Sequence, residues 1–409
     1  MRVAIIGGGA AGFFGAIEAA SGNPAIEVDI LEAGHAPLQK VRISGGGRCN
    51  VTHHCFEPRE LATAYPRGGR ALIGPFTRFG PRETMAWFEA RGVPLKVEAD
   101  GRVFPESDRS SSVVDCLMRE AVAAGVRLRL HANVRTVTRT ASATFRVGLG
   151  TGAEEEYDRL LLASGGGPTG HRLAAALGHT IVPAVPSLFT FNVSDSRLRD
   201  LAGLSFARVE LAFADGPPGL RHEGPMLITH WGLSGPAVLR LSAWGARWLA
   251  DRQYHATLLV NFVPDASRDA VLAELTSRRS ATPAKRVRAD RVAALPARYW
   301  SRIVDHVGVA ADAVWSQVST ALLGALATEL TGARIAVRGR GVFKEEFVTA
   351  GGVSLAEVDF RTMASRVVAG LHLAGEVLDV DGITGGFNFQ SAWTTGWIAG
   401  RSLASMGTT

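Results

Sequence analysis

Cysteine, lysine and long apolar runs are what this 409-residue chain has least of. Three cysteines, Cys49, Cys55 and Cys116, cannot staple a fold of this size, which excludes a disulfide framework and points to a reducing, cytoplasmic compartment. No stretch approaches the roughly 20 unbroken apolar residues of a membrane span, so no membrane partner is expected. The apolar start lacks the basic flank of a secretory signal, and its glycines stand where a phosphate loop needs them. A second G-x-G-x-x-G with a following helix is also missing. Gly339-Arg340-Gly341 lacks the spacing, so no separate NAD(P)H domain is expected. Nor is a metal.

What remains is an ordinary globular composition long enough for two or three domains. The net charge of +6 comes from arginine. Arg278, Arg279, Lys285, Arg286, Arg288, Arg291, Arg298 and Arg302 form a dense run in which Asp290 is the opposing charge. Such a run could meet RNA or another acidic partner. The sparse aromatic interleaving favours a solvated helical face instead.

The first dozen residues carry the clearest chemistry. Arg2–Ile6 (RVAII) is β-branched and apolar, as a buried parallel strand must be. Gly7, Gly9 and Gly12 then fit G-x-G-x-x-G, with Ala10 and Ala11 opening a helix. The first glycine permits the turn, the second lets backbone approach a pyrophosphate, and the third allows close helix–strand packing. A second strand, Glu27–Leu31, leads to Glu32 and Ala33, twenty and twenty-one residues after Gly12. An acid there accepts hydrogen bonds from an adenosine ribose. Strand, loop, helix and acid in register make a Rossmann nucleotide site.

Beyond Glu32 the pattern departs from a nicotinamide dehydrogenase. Lys40–His53 is too glycine-rich for a helix or strand, and its Ser44, Gly45, Gly46, Gly47, Arg48, Cys49 and Asn50 read as a loop wrapping donors and a cation around phosphate or ribose. A helix over 108–124 and a strand over 126–131 precede a three-stranded meander at 134–140, 144–150 and 154–157, with Val134 at its start. The strand 159–163 then ends in Ser164, Gly165, Gly166 and Gly167. Near the finish, a strand at 370–374 runs into Gly375 and Glu376, then Asp379 and Asp381. The turn 382–386 contains Gly385 and Gly386, and a helix is expected over 388–405 after Phe387, opening at Asn388. Its positive N-terminal end would favour an anionic reduced flavin. Both ends of the chain therefore converge on one cofactor.

These segments, with GRVFPES at 101–107, THWGLSGPAVLRLS at 229–242 and GEVLDVDGITGGFNFQSAWTTGWIAG, resemble a group of bacterial FAD-binding oxidoreductases that includes aminoacetone oxidase and a flavin-dependent bile-acid enone reductase. The resemblance covers nearly the whole chain. It implies an α/β fold in which a Rossmann-like FAD-binding domain of glutathione-reductase type (1–186 and 349–409) is interrupted by a β-rich domain (187–265 and 332–348). That domain carries a small helical insertion (266–331). Strand-like patterning at 187–193, 207–213, 257–263, 333–337 and 342–348 agrees. The usual Gly-Asp that holds a flavin ribityl chain is Gly375-Glu376 here, leaving Glu376, Asp379 and Asp381 as alternatives.

Tightly bound FAD is the expected cofactor, with NAD(P)H a transient reductant or oxygen the acceptor. The expected reaction is hydride transfer to or from flavin N5, by C=C reduction or amine oxidation of a small organic substrate. An RNA-associated flavoprotein and a flavin-binding regulator without turnover are the competing readings. His230 is the titratable candidate for a proton relay, unless it is a core histidine; His53 and His54 are alternatives unless they form an exposed loop pair. Arg102 and Ser107 either line the site or stabilise a turn. The five residues between Cys49 and Cys55 do not match a redox dithiol. The purified protein should be yellow and release FAD on denaturation; a colourless protein that cannot be reconstituted would overturn this reading.

Overall fold

A computed structural model describes residues 1–293, 295–341 and 348–405. The chain divides into two compact units, Met1–Val185 with Val348–Thr409, and Pro186–Phe347.

The first unit is built on a seven-stranded sheet. Its centre is β1 (Arg2–Ile6), hydrogen-bonded in parallel to β2 (Glu27–Leu31) on one side and to Arg159–Leu162 on the other. Arg127–Arg129 extends the sheet beyond β2, and Leu371–Leu373 extends it beyond Arg159–Leu162, both in parallel. Two short antiparallel strands finish that edge. The apolar runs are explained by burial on both faces: Val3, Ala4, Ile5, Leu160, Leu161 and Leu162 are fully covered. Register aligns Ile6 with Leu31 and Leu162, and Leu162 with Leu373. Gly7, Glu32, Ser164 and Gly375 therefore leave the sheet along one edge. The chain departs from β1 toward β2 and returns on β1's other flank, a reversal that opens a crevice at the carboxyl ends.

Helix α1 (Ala10–Gly22) packs along the C-terminal helix Phe387–Ser405. Backbone meets backbone here. A Cβ added at Gly396 would stand 2.4 Å from the Ala11 carbonyl oxygen, and one at Gly400 would stand 2.5 Å from that of Gly15. Around this seam Phe14 gathers Trp87, Trp393, Phe79 and Phe88, with ring centroids 4.6 to 5.9 Å away. Trp393 donates to the Val51 carbonyl at 2.9 Å. Three helices without a sequence motif, Pro58–Ala62, Gly69–Arg78 and Pro81–Glu89, lie in this part of the chain, and the third supplies Trp87 and Phe88.

In the second unit a closed six-stranded barrel runs in the order Phe191–Val193, Gly232–Ser234, Arg221–Ile228, Ser205–Phe213, His255–Asn261, Ala333–Arg340. The strand expected over 187–193 is broken at Leu188, whose φ is +56°, so that Ile181–Ser187 and Phe191–Val193 are separate. The patterning read at 342–348 lies, up to residue 347, outside the described residues. Helices Arg268–Ala281, Ala297–His306 and Thr320–Gly332 join the last two barrel strands. They do not form a core of their own: Leu275, Trp300 and Leu326 belong to the same apolar cluster as Phe206, Leu258 and Ile335. Tyr299 seals the joint, 5.0 Å from Phe206 and 4.7 Å from Phe262.

Gly396→Ala tests the helix seam. Helix propensity alone would stabilise the variant by about 1 kcal/mol. The clash with Ala11 opposes that, and forced separation of packed elements costs roughly 1–3 kcal/mol. Denaturant unfolding should therefore show net destabilisation with less retained flavin; a more stable variant would refute the close approach.

Candidate cofactor site

The glycine loop is shaped by contacts that a side chain would prevent. Gly7 has φ +112°, donates to the Leu31 carbonyl at 3.0 Å, and leaves room where a Cβ would lie 2.4 Å from the Ala163 oxygen. A Cβ at Gly12 would sit 2.0 Å from the Gly7 oxygen. Gly9 differs, because nothing lies within 4 Å of its Cβ position. It caps α1 with extended backbone and no side-chain acceptor, and the first helical bond runs from Phe13 to the Gly9 carbonyl at 3.0 Å. The N–H groups of Ala10, Ala11 and Gly12 thus precede any intrahelical partner and face the open edge. An uncapped helix start over open space is what a pyrophosphate requires.

Glu32 holds the turn beside it, accepting from Gly8 N–H at 2.8 Å and Gly34 N–H at 2.7 Å. Each carboxylate oxygen keeps lone-pair capacity for ribose hydroxyls. Ala33 is exposed next to it. Ala132 N–H donates to the Glu32 carbonyl at 2.8 Å, which lays the segment leading to buried Val134 along this end of the site.

The second chain return comes just as close. Ser164 Oγ is buried with no hydrogen-bond partner, an orphaned polar atom at the carboxyl edge. Gly165 lies near Glu376: a Cβ there would be 4.0 Å from the Glu376 carboxylate, and one at Gly166 would be 3.4 Å from the Glu376 carbonyl. Gly375, at φ +74°, donates to Thr395 Oγ1 at 3.0 Å and leaves no room for a Cβ beside Ala11. Thr395 was not anticipated from sequence; no motif marks it. These groups fit a dinucleotide with a flavin end: open donors and an orphaned hydroxyl on one edge, an acid for ribose and a carboxylate at Glu376.

The Lys40–Asn50 segment differs from the expected loop. Its first half is helical: α2 (Gln39–Gly47) runs regularly to Ile43 because Leu38 and Val41 are buried. Only then does the backbone open, with Ser44 extended and Gly45 and Gly46 left-handed at φ +58° and +68°. Lys40 forms an ion pair with Glu376 at 2.5 Å. Arg48, expected as a phosphate cation, is engaged by protein groups. Its guanidinium stacks 3.9 Å over Phe104 and pairs with Glu98 at 2.7 Å and Asp108 at 3.5 Å. Cys49 is wholly buried, which pushes its thiol up to about 12 and leaves no thiolate at neutral pH. Asn50, with its amide oriented to satisfy both neighbours, accepts from Gly386 N–H at 2.9 Å and donates to the Thr52 carbonyl at 3.0 Å. It ties the glycine loop to the turn before the C-terminal helix.

That turn is internally braced. Asn388 accepts from Gly382 N–H and donates to its carbonyl, each at 2.8 Å. Asp381 is fully buried and forms a two-pronged ion pair with Arg67. Both were expected on the cofactor, and both have protein partners here. A buried carboxylate needs a partner, and Arg67 sits in a region the sequence reading left without elements. Gly386 at φ +92° presses where a Cβ would be 2.4 Å from the Thr52 carbonyl, and a Cβ at Gly385 would be 2.9 Å from the Phe387 ring. Phe387 stacks on His53 with centroids 4.5 Å apart, and its carbonyl accepts from Tyr65 at 2.6 Å.

The histidines are redistributed. His53 is no exposed loop residue: it lies half-buried in a strand paired with Arg102–Pro105, with Nδ1 3.1 Å from the Gly385 carbonyl. His54 is exposed. His230 stands exposed at a bend of the second unit, which excludes the core-histidine reading. Arg102 pairs with Asp100 at 2.7 Å and Glu98 at 3.1 Å, and Ser107 with Ser112 at 2.7 Å, so both brace their turn. The basic run is better opposed than its sequence suggests. Arg278 and Lys285 converge on nearly buried Asp290 at 2.7 and 2.8 Å, Arg288 pairs with Asp305, and Arg302 lies 3.5 Å from Asp200. Trp315 also donates to Asp290 at 2.9 Å, making that carboxylate a structural knot.

Comparison with known proteins agrees with this geometry. The ribosomal RNA dihydrouridine synthase of Escherichia coli is 30% identical over 407 residues, covering 98% of this chain and 97% of its own. The 3-dehydro-bile acid delta(4,6)-reductase of Clostridium scindens is 29% identical over 411 residues, covering 98% and 99%. The crystal structure of 3-ketosteroid-delta4-(5alpha)-dehydrogenase from Rhodococcus jostii shares the fold at 14% identity and a TM-score of 0.53, over 98% of this chain and 96% of that one. A model described as the HI0933-like protein Rossmann domain matches residues 1–402, and the chain belongs to that family of FAD-binding oxidoreductases.

Proposed function

We propose that this flavoprotein reduces a carbon–carbon double bond conjugated to a carbonyl, and that its substrate is the uracil ring of a uridine in RNA. One observation carries the reading: two relatives of the chain's full length, at 29–30% identity, are named for reducing such bonds, one in ribosomal RNA and one in a bile acid. Uracil C5=C6 is conjugated to the C4 carbonyl, as a steroid enone is to its ketone. Amine oxidation, the other activity the resemblance implied, is named for neither of these two.

When bound, the flavin would supply a hydride to the carbon β to the carbonyl. The α-carbon then needs a proton, and the carbonyl oxygen carries the charge in between. Within the first unit the Ala10–Gly12 N–H groups would hold the pyrophosphate, Glu32 the ribose, and Ser164 Oγ with Glu376 the flavin side. The start of the C-terminal helix would favour negative charge on a reduced ring held near it. We assign the proton to His53 rather than exposed His230. Its Nδ1 lies 3.1 Å from the Gly385 carbonyl and its ring stacks on Phe387 with centroids 4.5 Å apart, beside the turn that leads into the C-terminal helix. With no second dinucleotide loop in the chain, NADH or NADPH would serve as a transient reductant.

Holoprotein reduced anaerobically with dithionite should be reoxidised by a uridine-containing ribosomal RNA fragment, with dihydrouridine appearing in the digest. His53→Gln should slow that reoxidation at least ten-fold while retaining FAD. Reoxidation by a steroid 4-en-3-one but not by RNA would favour the bile-acid type of substrate, for which the Clostridium scindens relative speaks. A flavin that stays reduced with both would overturn the proposal.

A further inference from the structure

The second unit carries most of the chain's excess charge: 20 basic against 15 acidic side chains, or +5 of the net +6. Within its densest basic run, Arg278, Lys285, Arg288 and Arg302 are paired with Asp290, Asp305 and Asp200. Two further guanidinium groups, Arg252 and Arg338, line a groove of about 500 Å3 on the outer face of the barrel. The groove follows the paired strands His255–Asn261 and Ala333–Arg340, where His255 stands opposite Arg338. Alternation along the second strand buries Ile335 and Val337 and turns Arg334, Ala336 and Arg338 outward. Neither Arg338 nor Arg252 has a carboxylate partner among the described residues.

The wall opposite has an ordered cationic surface. Phe213, 5% exposed and part of the barrel core, stacks on Trp248 with centroids 4.9 Å apart. The Arg252 guanidinium lies 4.3 Å over the Trp248 ring and donates to the Trp248 carbonyl at 3.3 Å. This three-layer stack is rooted in the core and ends in an exposed, planar cation. Among the described residues, Asp215 is the one carboxylate lining the groove, against Arg252, Arg338 and His255. Fixed guanidinium groups bind phosphate in two-pronged fashion, and a guanidinium plane also receives a nucleobase.

We infer that this groove docks a single-stranded segment of the RNA substrate, with Arg252 and Arg338 meeting consecutive phosphates and the outer face of Arg252 available to a base. The inference rests on the RNA reading above and adds to it the place of backbone contact. It also moves that contact away from the Arg278–Arg302 run.

The test is binding of a uridine-rich, single-stranded ribosomal RNA oligonucleotide to the holoprotein across a salt series. Arg252→Gln/Arg338→Gln should weaken binding about ten-fold at low salt. It should also lower the slope of log K against log salt by about 1.4, at roughly 0.7 per phosphate on a single strand. Arg221→Gln/Arg268→Gln removes the same charge outside the groove and should stay near wild type, with flavin content confirming that both variants fold. If wild type binds and reduces the RNA while the groove variant matches it in affinity and slope, the groove assignment alone fails. If wild type retains no RNA at low salt, the groove and the uridine reading fail together.

Discussion

The close approach of α1 to the C-terminal helix is the constraint on which the cofactor site depends. Two helices from opposite ends of the chain can bring their backbones together only where side chains are missing, and Gly396, Gly400 and Gly15 provide that absence. The same seam positions the uncapped start of α1, and with it the phosphate donors. Through Thr395 it fixes the Gly375 N–H, and through Trp393 it reaches the loop carbonyl of Val51. Three separate stretches of sequence thereby become one edge.

Part of the charge in the first unit holds that edge. Asp381 is fully buried and would be strongly unfavourable alone; Arg67 neutralises it and pins the turn ahead of the C-terminal helix. Arg48 lies across Phe104 and bonds Glu98, which secures the glycine loop from outside. At that edge the α1 N–H groups, Glu32 and the orphaned Ser164 hydroxyl keep hydrogen-bonding capacity. That capacity suits a site for one large, polar, tightly held ligand. The second unit divides its charge differently, tying Arg278 and Lys285 to Asp290 while leaving Arg252 and Arg338 at the barrel surface.

Local chemistry was legible wherever it depended on neighbours in sequence. The strand–glycine–helix start, Glu32 after β2, the antiparallel meander and the Ser-Gly-Gly return all rest on apolar periodicity and on what a glycine permits next to itself. The helix from Gln39 was obscured because three following glycines outweighed two buried apolar positions, and the segment 58–89 carries no motif at all. Asp381, Asn388 and Arg48 look like ligands in one dimension because a polar residue near a glycine turn could serve ligand or backbone equally well.

The sequence by itself determined that an adenosine dinucleotide is held, since the phosphate loop and its acid are local and their spacing is set by one βαβ unit. Tertiary structure alone decided which polar groups are spent on the protein. The partners that consume them, Arg67 for Asp381 and Glu98 for Arg48, stand 314 and 50 residues away, and only folding brings opposite charges together across such distances.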